Sequence, residues 1–189
     1  MNRKLTTAEM GRMNVDQYRE ADKLPLVVVL DNVRSQHNVG AVFRTADAMR
    51  IERVLLCGIC CCPPNQEIHK TALGAEESVT WQYYQNTIDA VQDLLREGYT
   101  VYAVEQAHNS VTLEEFAEKI INHKSQITNH KLAVVLGHEV FGVQQEVIDI
   151  CHGCIEIPQY GTKHSLNVSV AAGIVIYRLA SSLRLATKA

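Results

Sequence analysis

The sequence carries no excess of positive charge: 18 Lys and Arg against 21 Asp and Glu give a formal net charge of −3 over 189 residues. Domains held to nucleic acid by bulk charge usually have an isoelectric point above about 9, whereas this chain's is near 6.2. A pervasive positive field is therefore excluded, although a local basic patch is not. Long apolar runs are also missing. The longest, Leu24 to Leu30 and Val168 to Ile176, fall short of the roughly 18 residues that mark a membrane helix. Met1 to Arg12 is polar and holds no apolar signal-peptide core, so the expectation is a cytoplasmic protein with no membrane partner. There is no internal repeat or low-complexity tract, and no glycine spacing of the dinucleotide or P-loop kind.

What is present suits an ordinary soluble globule, with 47% hydrophobic and 21% charged residues. At about 150 residues per domain, the length favours one domain. Such a domain buries roughly 70% of its unfolded surface and needs no disulfide or metal merely to fold. In a reducing compartment the six cysteines are then thiols or metal ligands.

Residues 1–23 are polar and helix-prone, and two capping boxes, Thr6 with Glu9 and Asn14 with Gln17, predict two short helices there. The main domain is expected over 24–189. Leu24 to Leu30, with three consecutive valines, has the pattern of a strand covered on both faces. Val39, Val42, Phe43, Ala46 and Met49 then form one stripe of a helix starting near Asn38. Further strands are expected at Arg53 to Cys57, Val79 to Tyr84, Thr100 to Val104, Lys131 to Leu136 and Cys154 to Ile157. Helical stripes separate most of them: Ile88, Val91 and Leu95; Phe116 and Ile120; and Val143, Val147 and Ile150. Gly58 to Asn65, with Pro63 and Pro64, is a loop. A long apolar helix runs from about Asn167 to Leu185. This alternation is the signature of an α/β domain on a mostly parallel sheet flanked by helices. Ligands of such sheets bind beyond the carboxyl ends of the strands.

Three segments that follow strands could carry chemistry. Asp31 to Gly40 is polar and leads into a helix bearing Arg44, which on spacing alone also reads as a plain surface arginine. Gly137-His138-Glu139-Val140-Phe141-Gly142 places two glycines around a carboxylate, where backbone approaches a ligand closely or simply turns. Ile157 to Asn167 is a polar loop before the last helix, in which Ser165 or Asn167 caps that helix or faces a polar ligand.

Taken together, Asn38-Val39-Gly40-Ala41-Val42-Phe43-Arg44, Leu136-Gly137-His138-Glu139-Val140-Phe141-Gly142 and Ile157-Pro158 through Ser165-Leu166-Asn167 stand in the order of three family motifs. With Lys70-Thr71-Ala72-Leu73-Gly74-Ala75-Glu76 between them, the chain from about Leu24 to Leu183 resembles the SpoU, or TrmH-like, branch of the SPOUT RNA methyltransferases. The resemblance implies a C-terminal deep trefoil knot, a homodimer, and methyl transfer from S-adenosylmethionine to a ribose 2′-hydroxyl of tRNA or rRNA. It implies catalytic roles for Arg44, Asn38, Glu139, Ser165 and Asn167. It implies cofactor contacts, mainly through backbone, near Val104, Gly137, Ile157 and Leu166. RNA contacts are expected from Arg34, Arg44 and Lys163, and no metal is needed. Three rival readings stand beside it: a catalytically silent knotted RNA-binding or ribosome-assembly protein, a zinc protein, and a knotted methyltransferase acting on a base nitrogen. The second would use Cys57-Gly58-Ile59-Cys60 and Cys151-His152-Gly153-Cys154, with His69 and His152 as further ligands.

Overall fold

The computed structural model describes residues 2–6, 8–122 and 131–187. Its strands are β1 (Leu24–Asp31), β2 (Ile51–Cys57), β3 (Thr80–Tyr84), β4 (Tyr99–Val104), β5 (Val111–Thr112), β6 (Lys131–Leu136) and β7 (Cys154–Glu156). They form one sheet in the order β3-β2-β1-β6-β4-β7-β5. Every pairing among these strands is parallel. The apolar runs explain why. β1 and β6 lie in the middle, and Leu26 to Leu30 and Leu132 to Leu136 are buried throughout, because helices cover both faces.

Side chains alternate between two cores as the pleat requires. Leu26, Val28, Leu30, Val54, Leu56 and Val134 face α2 (Gln36–Met49), α6 (Leu113–Asn122) and α8 (Val168–Thr187). Val27, Val29, Leu55, Val101 and Val135 face α5 (Thr87–Arg96) and α7 (Gln145–Ile150). Before the sheet, a short 3-10 turn covers Ala8–Met10 and α1 spans Val15–Glu20. Asn14 and Gln17 form the expected capping box at the start of α1.

Three boundaries differ from the sequence reading. α2 starts at Gln36, two residues before Asn38, because the Ser35 hydroxyl caps it by accepting the Asn38 N–H at 3.4 Å. After the Pro63-Pro64 loop come two short helices that the periodicity did not reveal, α3 (Gln66–Ala72) and α4 (Ala75–Ser78). The apolar stretch beginning at Val168 continues as helix to Thr187, so by length and composition α8 is long enough to cross a membrane. Its Ala172, Val175, Ile176, Leu179 and Leu183 are instead buried in the first core.

Candidate active site

The carboxyl ends of β1, β6, β4 and β7 point to one edge of the sheet, and the segments following them converge there. Glu139, in the loop after β6, accepts the backbone N–H of Arg34 at 3.0 Å and of Ser35 at 2.9 Å. It also accepts the side-chain amide of Asn38 at 3.0 Å. Asn38 in turn accepts the amide of Asn167 at 3.2 Å. Asn167 caps α8, accepting the Ser169 N–H at 2.9 Å and its hydroxyl at 2.6 Å. A chain of hydrogen bonds therefore joins residues 38, 139 and 167. Partial burial pushes the Glu139 carboxyl up, but the N–H donors of Arg34, Ser35 and its own backbone, with the Asn38 amide, outweigh it and hold the group below the usual carboxylate range.

Beside this junction opens a cleft of about 1180 Å³, lined by all four residues expected near a cofactor, Val104, Gly137, Ile157 and Leu166, and also by Glu139 and Ser165. The glycines shape its wall. A Cβ on Gly137 would lie 2.0 Å from the Gly142 carbonyl carbon, since His138 and Gly142 close a tight loop by exchanging backbone hydrogen bonds of 3.0 and 2.9 Å. Gly142 has φ +68°, and a Cβ there would meet the Glu105 carboxylate at 2.1 Å. The cleft is larger than the 300–1,000 Å³ or so of common small-molecule sites. It therefore has room for a nucleoside-sized ligand, approached by backbone at the glycines and by apolar surface at Leu136 and Val143.

Arg44 projects from α2 into solvent and makes no hydrogen bond or ion pair among the described residues. Arg34, Lys163 and Ser165 are exposed as well, and the Arg34 contact to Glu139 uses its backbone, not its guanidinium. The structure thus gathers Asn38, Glu139 and Asn167 into direct contact and puts Ser165 on the cleft wall. It leaves the side chains of the three expected RNA-binding cations at the surface, without a hydrogen bond or ion pair among the described residues.

Two residues that sequence reasoning passed over hold this edge together. Asp31, fully buried at the end of β1, accepts from the Thr87 hydroxyl at 2.6 Å, the Gln144 N–H at 2.9 Å and the Gln144 side chain at 2.7 Å. Glu105, the first residue after β4, accepts the Val143 N–H at 3.1 Å and so ties the 137–143 loop to β4. The available signal was a carboxylate at the last position of an apolar strand or directly after it.

The cysteines do not converge. Cys57 ends β2 and Cys154 begins β7, with β1, β6 and β4 between them. At about 4.8 Å per strand they stand roughly 19 Å apart, too far to share one ion. Cys60 is a buried structural thiol, accepting the Val33 N–H at 3.1 Å and donating to the Leu30 carbonyl at 3.3 Å. Burial pushes it up to about 12. The zinc reading through the two CxxC pairs is therefore overturned.

An all-parallel α/β sheet with a glycine-walled cleft and an amide–carboxylate junction at its carboxyl edge has the form of a ligand-binding α/β domain. The chain belongs to the SpoU rRNA Methylase family, which matches residues 25–177. A Staphylococcus haemolyticus protein described as a TrmH family tRNA/rRNA methyltransferase is 28% identical over 87% of this chain and 62% of its own length. A Staphylococcus aureus relative of the same description is 29% identical over 86% of this chain and 61% of its own. The chain thus spans less than two thirds of these relatives. Among solved structures, the A. aeolicus TrmH/SpoU tRNA modifying enzyme superposes with a TM-score of 0.74 at 25% identity, covering 92% of this chain and 83% of that one. An AdoMet-bound rRNA methyltransferase from Sinorhizobium meliloti shares the fold with a TM-score of 0.72 at 24% identity, over 88% of this chain and 59% of that one.

Proposed function

We propose that the chain is an S-adenosylmethionine-dependent RNA methyltransferase that modifies a ribose 2′-hydroxyl of tRNA or rRNA and works as a homodimer. The observation that carries this reading is the hydrogen-bonded meeting of Asn38, Glu139 and Asn167 at the rim of the cleft lined by Val104, Gly137, Ile157 and Leu166. The cleft fits the cofactor in size and in its bare glycine backbone. When bound, S-adenosylmethionine supplies a sulfonium methyl that carries its own leaving group.

A ribose hydroxyl is a poor nucleophile near neutral pH and must lose its proton as the methyl moves. A guanidinium is a poor proton acceptor, so Arg44 is an electrostatic organiser of the hydroxyl and its neighbouring phosphate, and not the base. The substrate phosphate takes the proton. Asn38 is positioned by Glu139 and Asn167, Ser165 faces the same cleft, and alignment in a dehydrated site supplies much of the acceleration. Arg34 and Lys163 hold further phosphates. The implied trefoil knot, the 1–23 extension beside a 24–189 domain and the cytoplasmic setting belong to the same reading. The apolar stripe Val170, Ile174, Tyr177 and Leu185, exposed along α8, supports the dimer.

The test combines calorimetry with S-adenosylmethionine and nucleoside mass spectrometry of tRNA and rRNA incubated with the full chain. Expected are cofactor binding, a 2′-O-methylated nucleoside, and loss of that product in Arg44→Ala with cofactor affinity nearly unchanged. A methylated base nitrogen would overturn the ribose assignment. RNA binding without cofactor binding would establish the silent reading instead, and full activity in Arg44→Ala would remove that residue from the mechanism.

A further inference from the structure

A second cleft, of about 670 Å³, opens on another part of the surface between α3 and α4, and His69, Glu76, Glu77 and Trp81 line it. The chain reverses at Leu73 and Gly74, which brings the first turn of α4 back against the last turn of α3. Glu76 is only 9% exposed. One of its carboxylate oxygens meets His69 Nδ1 at 2.6 Å, and the other, Oε2, is buried with no hydrogen-bond partner among the described residues. A buried carboxylate oxygen without a donor is costly, because it has given up water and received nothing in exchange. Beside it the Glu77 carboxylate makes no hydrogen bond among the described residues, since Arg19 reaches the Glu77 backbone carbonyl (2.8 Å) and not its side chain. Lys70, the nearest cation on α3, is held by Glu67 at 2.5 Å.

We propose that His69, Glu76 and Glu77 bind one first-row divalent metal ion, with the buried Glu76 oxygen as its anchor. One ligand atom from each residue lies within 4.8 Å of the others. Ligands at about 2.0–2.2 Å from an ion stand at most about 4.4 Å apart across it. Closing the site therefore takes side-chain rotation within this cluster, and the exposed Glu77 side chain has room for it. One imidazole with two carboxylates suits Zn²⁺ or Mn²⁺ better than Mg²⁺, which prefers oxygen ligands and keeps its water. The bound ion fastens α4 to α3 and, through Arg19, to α1. The inference is independent of the methyl-transfer reading.

The test uses the full chain, stripped with chelator and then titrated with MnCl2 while free Mn²⁺ is followed by electron paramagnetic resonance. Mn²⁺ is chosen because the free thiols of this chain also attract zinc. One Mn²⁺ per chain is expected, displaced by Zn²⁺ and not by equimolar Mg²⁺. Affinity should drop at least tenfold in Glu77→Gln and in His69→Ala, both of which keep the wild-type circular dichroism spectrum. No saturable Mn²⁺ binding, or binding unchanged in both variants, would overturn the proposal and leave His69 and Glu76 as a simple hydrogen-bonded pair.

Discussion

Glu139 shows how much of the site depends on one side chain. Its carboxylate gathers three N–H donors from the start of α2, and these keep it ionised below the ordinary carboxylate range despite partial burial. A folded-state value depressed from the unfolded one, near 4.3, stabilises the fold above that pH, and the contribution is lost as pH falls through the folded value. Glu139→Gln should therefore unfold more easily at pH 7 by about 1–2 kcal/mol, with less lost than in a full truncation because the amide oxygen still accepts one bond. The gap to wild type should close towards pH 3 in urea titrations, and a gap independent of pH would contradict the ionised cradle. At this scale the sequence was informative in an uneven way. Asn38, Glu139 and Asn167 were each ambiguous alone and gained meaning only as a set. Asp31 and Glu105 stayed hidden because such a carboxylate is defined by its donors: besides its neighbour Asn32, those of Asp31 lie 56 and 113 positions away along the chain, and that of Glu105 on Val143 lies 38 away.

Between elements, α2 approaches α3 closely. A Cβ on Gly40 would stand 2.1 Å from the Thr71 hydroxyl and 2.3 Å from the Ile68 carbonyl, and Thr71 also donates to the His37 carbonyl at 3.0 Å. The backbone carbonyl cannot step aside as a side chain would, so Gly40→Ala must push the helices apart. The expected cost is about 2–3 kcal/mol, which at 2–4 °C per kcal/mol for a domain of this size lowers the melting temperature by roughly 5–10 °C. Thr71→Ala added to Gly40→Ala should recover only part of it in a thermal scan, because Ile68 remains; full recovery would show that the hydroxyl alone was the obstacle. Through the same contact the segment around Thr71 seats the helix bearing Arg44. Strands and long helices were legible from valine runs and apolar stripes, because burial on both sheet faces leaves a strong pattern. α3 and α4 were not, being short and mostly polar, with only Ile68 and Ala72 buried on α3. β5 is two residues long and exists through its pairing with β7, which no local pattern encodes.

For the whole molecule, the net charge of −3 and the proposed RNA substrate are reconciled only if a few placed cations do the binding. Arg34, Arg44 and Lys163 are exposed and lie in or near the loops that build the site. A dimer formed across the α8 stripe would present six such cations. At about 0.7–0.9 per phosphate contact, log affinity against log salt should fall with a slope of roughly 4–5 for the dimer and 2–3 for a monomer. Ile174→Asp with Tyr177→Asp places charge in the middle of the stripe, where both side chains are exposed at 40% and 62% and carry no part of the core. Light scattering should then report half the wild-type mass, and RNA titrations should report about half its salt slope, while each chain keeps its fold. A wild-type monomer at micromolar concentration would refute the dimer. A dimer with a slope near zero would show that RNA is held by something other than these cations, and that the acidic balance of the sequence had described the surface correctly.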